Sequence, residues 1–121
     1  EKLKSYKDLE LWKVSMDFVI EVYRVTSLFP SSEKFGLVNQ IRRSAVSIPS
    51  NISEGAGRRN TREFIQFLYI SNGSLSELET QIEIAFRLNY INDFEPITIK
   101  IMYIRKMLIN LIYALNKKLN T

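Results

Sequence analysis

Apolar residues return at steps of three and four along four stretches of this chain, and nowhere does the two-residue alternation of a strand appear. In the first stretch Leu9, Trp12, Met16, Val19 and Tyr23 share a face. That spacing predicts a helix from an Asp8 cap to about Ser27, with Trp12 anchored in the core. Pro30 pushes Phe29 toward extended backbone and ends the helix. The second stretch sets Leu37, Ile41, Ala45, Ile48, Ile52 and Ala56 on one face, behind a Ser31 or Ser32 cap, with Glu33 in the first turn. Pro49 falls inside it. A proline there removes one backbone donor and crowds the Ala45 carbonyl, yet the apolar register runs unchanged from Ile48 to Ile52. A bent, continuous helix is expected, the alternative being two shorter helices parted at Pro49.

The third stretch, from about Thr61 to Asn89, turns Phe64, Phe67, Leu68, Ser71, Leu75, Leu78, Ile82, Ala85 and Phe86 inward. Gly73, between Ser71 and Ser74, breaks its run of large side chains. A mid-helix glycine costs about 1 kcal/mol against alanine, so a close approach by another helix is expected there. The fourth, from Glu95 or Pro96 to Lys118, carries Ile97, Ile101, Ile104, Leu108, Leu111 and Leu115, with Asp93 as cap and Pro96 in the first turn. Met102, Ile109 and Tyr113 add apolar surface at its side, more than a four-helix monomer needs, which points to oligomer contact. Between the second and third stretches, Gly55-Ala56-Gly57-Arg58-Arg59-Asn60-Thr61 reverses the chain. Its glycines are suited to the left-handed conformation that ends helices, and Asn60-x-x-Glu63 is a loose capping box. Four helices with short links predict an all-α, antiparallel up-down-up-down four-helix bundle, one domain over residues 1–121.

The polar positions are patterned too. Gln40, Arg43, Ser47, Asn51, Glu54 and Arg58 recur on the second helix, roughly 100° round from its apolar face. Amides and a hydroxyl there suit hydrogen bonds at a subunit interface, the plain alternative being a solvated face. Glu63, Gln66, Ser74, Glu77 and Gln81 form a second such stripe on the third helix. With the two helices antiparallel, Arg43 and Glu77 stand at comparable heights, placed to pair within the chain or across a subunit boundary.

Composition narrows the chemistry. The chain has no cysteine, which excludes disulfides and thiolate chemistry, and no histidine, the commonest general base and metal ligand. A carboxylate-bridged di-iron bundle requires Glu-x-x-His pairs, and Glu77 and Glu79 point about 160° apart on a helix. Gly55-Ala56-Gly57-Arg58 is too short for a phosphate loop. No enzyme, metal, cofactor or small-molecule substrate is implied. The charged N-terminal stretch lacks the apolar core of a signal peptide, and Lys100, Arg105, Lys106 and Asn110 interrupt the most apolar stretch, so no membrane segment and a cytoplasmic setting are expected.

A net charge of +4 favours an anionic partner mildly. The candidate nucleic-acid contacts are Arg58, Arg59 and Arg62 at the corner, Arg42 facing away from the apolar stripe, and Lys100, Arg105 and Lys106 on the fourth helix. Capping and solubility are the alternative account of the arginine corner. Arg43, Asn51 and Glu54 are assigned to structure.

The strings YKDLELWKVSMDFVIEVY and FGLVNQIRRSAVSIPSNISEGAGRRNTREFIQFLYISNGSLSELETQ closely resemble the bacterial four-helix-bundle proteins encoded within intervening sequences of 23S ribosomal RNA genes. The resemblance covers roughly Tyr6 to Ile91, and Ser44 and Ser53 depart from the alanines of many members. The family is also similar to the accessory variability determinant of diversity-generating retroelements, a pentameric bundle that binds nucleic acid and a reverse transcriptase. The resemblance implies a homo-oligomer of the chain with itself, a pentamer by that likeness, and a partner that is RNA or a nucleic-acid-binding protein. Two functions are compatible with it: a non-enzymatic oligomeric RNA-binding module, or a self-assembling protein-interaction scaffold that binds no nucleic acid.

Overall fold

The computed structural model of the chain describes residues 6–120. Among them are four helices and no strand: α1 (Glu10–Thr26), α2 (Leu37–Ala56), α3 (Thr61–Arg87) and α4 (Glu95–Leu119), with 3-10 turns at Tyr6–Asp8 and Ser31–Glu33. Each helix packs on the next, α1 closes on α4, and the backbones of the diagonal pairs stay more than 8 Å apart at every Cα. Partners along the α2–α3 seam run in opposite directions: Ser47 meets Ser74, Ile48 meets Ser71, and Gly55 meets Phe67 and Phe64. The four-helix bundle expected from periodicity is the fold.

Its centre is filled by Ile41, Ala45, Ile48 and Ile52 of α2, as the second stripe predicts, with Leu68, Leu75, Leu78 and Ile82 of α3 and Ile101, Ile104 and Leu108 of α4. Helix α1 departs from expectation. Its buried face is Leu11, Ser15, Phe18, Val22 and Thr26, whereas Met16 and Tyr23 are exposed and Leu9, Trp12 and Val19 lie at the core's margin. The buried stripe is about 100° round from the predicted one. Both stripes are apolar, and period alone does not rank neighbours; contact with both α2 and α4 turns Phe18 to the centre. Trp12 is half-buried and meets Tyr6 edge-on, 5.3 Å between ring centroids.

Helix ends correct several local expectations. Leu9, not Asp8, holds the N-cap of α1 without a side-chain bond, and the Asp8 side chain lies outside the described part. Ser31 and Ser32 both lie in the 3-10 turn and neither caps α2; Gly36 holds that N-cap, and Glu33 Oε1 accepts the Leu37 N–H at 3.2 Å. Helix α2 passes Pro49 without interruption. At the corner Asn60 Oδ1 accepts the Glu63 N–H at 2.9 Å, the predicted cap, while the Asn60 side-chain Nδ2, rather than its backbone N–H, donates back to Glu63 Oε2.

No glycine is left-handed; Gly57 has φ −85°. Gly55 serves approach instead, since a Cβ there would stand 2.7 Å from Phe67 Cβ. Gly73 is the converse, with nothing within 4 Å of its would-be Cβ, so the close approach expected there does not occur within the chain. The left-handed residue is Asn89 (φ 65°), which ends α3 as Tyr90 N–H donates to the Ala85 carbonyl and Asn89 N–H to the Phe86 carbonyl, each at 2.9 Å.

Tyr90 also joins the two links at that end of the bundle: its hydroxyl donates to Glu33 Oε2 at 2.8 Å, and its ring lies against Phe29. The bond to Glu33, with desolvation and the carboxylate charge acting in the same direction, holds the Tyr90 hydroxyl above its usual titration range.

Gly55→Ala is expected to destabilise the fold by about 1–3 kcal/mol through overpacking, and Gly73→Ala to stabilise it by up to about 1 kcal/mol. Urea melts of the two variants measure both. Because the folded pKa of Tyr90 is raised, its hydrogen bond contributes fully below about pH 10 and is lost as pH rises through the raised value. Glu33→Gln removes the charge, so one tyrosine in an ultraviolet titration should return toward the ordinary range, and alkaline melting should lose that component.

Candidate nucleic-acid interface and polar seam

Four of the seven basic candidates are committed within the bundle. Arg42 donates through Nε to Thr26 Oγ1 at 2.9 Å and through Nη2 to the Tyr23 carbonyl at 3.2 Å, and its guanidinium covers the Tyr23 ring at 4.4 Å. It thereby fastens the C-terminal turn of α1 to α2. Arg58 pairs with Glu54 at 2.8 Å and approaches Glu63 at 3.8 Å, while lying over the Phe67 ring at 4.7 Å. Lys100 pairs with Glu21 of α1 at 2.6 Å, and Arg105 with Glu79 of α3 at 2.7 Å, so α4 is pinned by an ion pair on each flank. Such pairs keep their charge in water and contribute little to stability.

Arg59, Arg62 and Lys106 remain exposed, and none has an ion pair among the described residues. Arg59 and Arg62 sit beside Arg58 at the corner, where backbone geometry is fixed by the Asn60 cap. The topology brings the last turn of α4, with Lys117 and Lys118, to the same end of the bundle. Sequence position assigns those lysines only to the helix dipole; the chain reversals make them neighbours of the arginine corner in height. Lys106 lies on α4, away from that end.

The polar stripes divide in the same way. Asn51 Nδ2 donates to the Ser47 carbonyl and hydroxyl at 2.8 and 2.9 Å, and Ser74 Oγ donates to Ser47 Oγ at 2.9 Å. Ser71, fully buried, donates to the Ile48 carbonyl at 2.9 Å. Beyond this seam a groove of about 400 Å³ opens between α2 and α3, lined by Gln40, Arg43, Ser44, Ser47, Glu77 and Gln81. Arg43 and Glu77 both face it but form no ion pair with each other, so the pairing expected within the chain is absent. Gln81 is only 7% exposed, and its Oε1 has no hydrogen-bond partner. Its burial is legible in principle, because it follows Leu78 by three and precedes Ala85 by four.

Helix α4 presents a second surface. Opposite its core face, Met102 is 63% exposed, Ile109 51% and Tyr113 69%, joined by Ile99 and Tyr103. These are the residues whose excess apolar surface the sequence singles out, with two more. Among the described residues no group of three or more acidic side chains is placed to hold a metal, and no helix is long and apolar enough to cross a membrane.

A family model described as 23S rRNA-intervening sequence protein matches residues 7–110, a span that takes in α1, α2, α3 and the first two-thirds of α4. No curated protein matches the chain.

The division between committed and free cations has a measurable consequence. Arg42→Ala is expected to lower unfolding free energy by about 1–3 kcal/mol, because two hydrogen bonds from a charged donor are lost. Arg59→Ala and Arg62→Ala should each stay within about 0.5 kcal/mol of the parent. Chemical denaturation of the three variants checks this.

Proposed function

The chain belongs to the family of 23S rRNA-intervening sequence proteins, and from that premise we propose that it is a non-enzymatic, homo-oligomeric RNA-binding bundle of the cytoplasm. The observation that carries this function is the end of the bundle where Arg59 and Arg62 stand exposed without an acidic partner among the described residues. Phosphate contact there releases counterions and needs no base-specific geometry. One such patch grips weakly. Several copies held in one assembly, a pentamer by the likeness to the retroelement bundle, meet several phosphates together. Arg58 adds charge while remaining paired, and Lys106 extends the field along α4. Arg42, Lys100 and Arg105 act as structure first. The partner is RNA itself or a protein that carries it, and neither a cofactor nor a small-molecule substrate has a place in this scheme.

A second function, a self-assembling scaffold without nucleic acid, is favoured by the apolar outer face of α4. Self-association is common to both. The α2–α3 groove, with Gln40, Arg43 and Glu77 uncommitted and the Gln81 carbonyl lacking a donor, supports a protein contact on that side.

A salt titration of binding to an RNA with stem and loop segments separates the two. Affinity should fall steeply with salt, and the double variant Arg59→Ala, Arg62→Ala should flatten the log–log slope by roughly 0.7–0.9 for each phosphate it no longer neutralises. Absence of binding at low salt leaves the scaffold.

A further inference from the structure

We propose that the groove between α2 and α3 holds one unpaired guanine of a bound RNA, gripped on one edge by Arg43 and on the other by Glu77. This rests on the RNA-binding function above and gives that RNA a base for the protein to read. The groove encloses about 400 Å³, within the range of small-ligand pockets, and every residue that lines it is polar. Two of those polar groups are sunk in the protein without a partner. Gln81 is 7% exposed, and its Oε1 receives no donor. Ser44 is 5% exposed, and its hydroxyl makes no hydrogen bond among the described residues. Buried polar groups are seldom left unpaired in a finished fold, so this floor calls for a partner from outside it.

The two walls differ in kind. The α2 wall carries the Arg43 guanidinium, a planar fork of donors, and the α3 wall carries the Glu77 carboxylate, which only accepts. Their charges are opposite and they share one groove, yet neither has an ion pair among the described residues. A ligand that bridges them accepts on one edge and donates on the other.

Guanine does this with two atoms at each edge. Its O6 and N7 are adjacent acceptors that match an arginine fork. Its N1–H and N2–H are adjacent donors that match the two oxygens of a carboxylate. Adenine, cytosine and uracil each bring a single donor nitrogen to the pairing edge, so none makes the same double bond to Glu77. Watson–Crick pairing occupies the guanine N1–H, so the base has to be unpaired and swung out of a loop, the usual form in which RNA sequence is read. Gln81 adds an acceptor, because its terminal torsion is soft and the amide turns readily toward a donor in the groove. A second groove, of about 530 Å³, adjoins the first through the shared Arg43 and Ser47, with Asn39 and Arg42 in its wall. Arg42 keeps its charge while fastening α1, so ribose and phosphate leave the base along a cationic path.

Fluorescence anisotropy with two RNA stem-loops that differ in one loop base, guanine or adenine, tests this at a single salt concentration. The parent should favour the guanine loop by roughly tenfold or more, the usual worth of a bidentate base contact. Arg43→Lys keeps the charge but loses the fork, and Glu77→Gln keeps the shape but replaces one acceptor by a donor. Each should bring the ratio of the two affinities to unity, with helical circular dichroism unchanged. The double variant Arg59→Ala, Arg62→Ala should weaken both loops alike and preserve the ratio. Equal affinities in the parent, or a ratio that survives both groove variants, overturn the guanine site and leave the RNA-binding function standing. Guanosine monophosphate competing as well as the guanine loop assigns the groove to a free nucleotide, and a changed mass in light scattering with Glu77→Gln assigns it to a contact between copies; either overturns the proposal. Absence of binding to both RNAs overturns the RNA-binding function itself, and this site with it.

Discussion

The distance between α2 and α3 at Gly55 governs the rest of the bundle. Where other residues carry a Cβ, this one leaves room for Phe67, whose own Cβ would otherwise stand 2.7 Å away. That proximity lets short serine side chains span the seam: Ser71 reaches the Ile48 carbonyl and Ser74 reaches Ser47. It also lets Ile48, Ile52, Leu68 and Leu75 fill the centre with no exposed area. Dispersion falls off steeply with separation, so a seam opened by one methyl group would weaken every such interaction along it.

A tight α2–α3 hairpin leaves α1 and α4 to close the other two sides, and their charges follow from that arrangement. Arg42 holds α1 to α2, while Lys100 and Arg105 hold α4 to its neighbours on either flank. Cations engaged in this way are poorly placed to grip a polyanion. Arg59 and Arg62, beyond the end of the packed seam, have no such duty. Helix α4 carries exposed Met102, Ile109 and Tyr113 outside its core face, interspersed with the charges of Lys100 and Lys106.

Periodicity alone makes the bundle legible. The middle of the α2 stripe, Ile41, Ala45, Ile48 and Ile52, can be read from spacing, while its ends Leu37 and Ala56 are only half-buried and Val38 beside it is buried. Helix α1 defeats the same reading because Leu11, Phe18 and Val22 form a stripe as apolar as Leu9, Trp12 and Met16, and only the positions of α2 and α4 choose between them. Caps are legible according to their pattern. Asn60 with Glu63, three residues apart, fits the known cap pattern and is visible in the sequence; Glu33 with Leu37 is nearly as local, four residues apart, but fits no such pattern. Gly73, expected to admit a neighbouring helix, has empty space beside it, whereas Gly55, expected to provide a left-handed turn, is the position that admits one.

The order of polar and apolar residues was enough to determine four helices, the lengths of all but α2 to within a turn, the α2–α3 hairpin and the all-α class, because each depends on interactions within a few residues of chain. Which cations are free, which amide is buried without a partner, and which aromatic stands in water were decided by the tertiary structure alone. Those properties depend on contacts between residues as far apart as Tyr23 and Arg42, Glu79 and Arg105, or Glu33 and Tyr90. Spacing along a single helix carries no record of such neighbours.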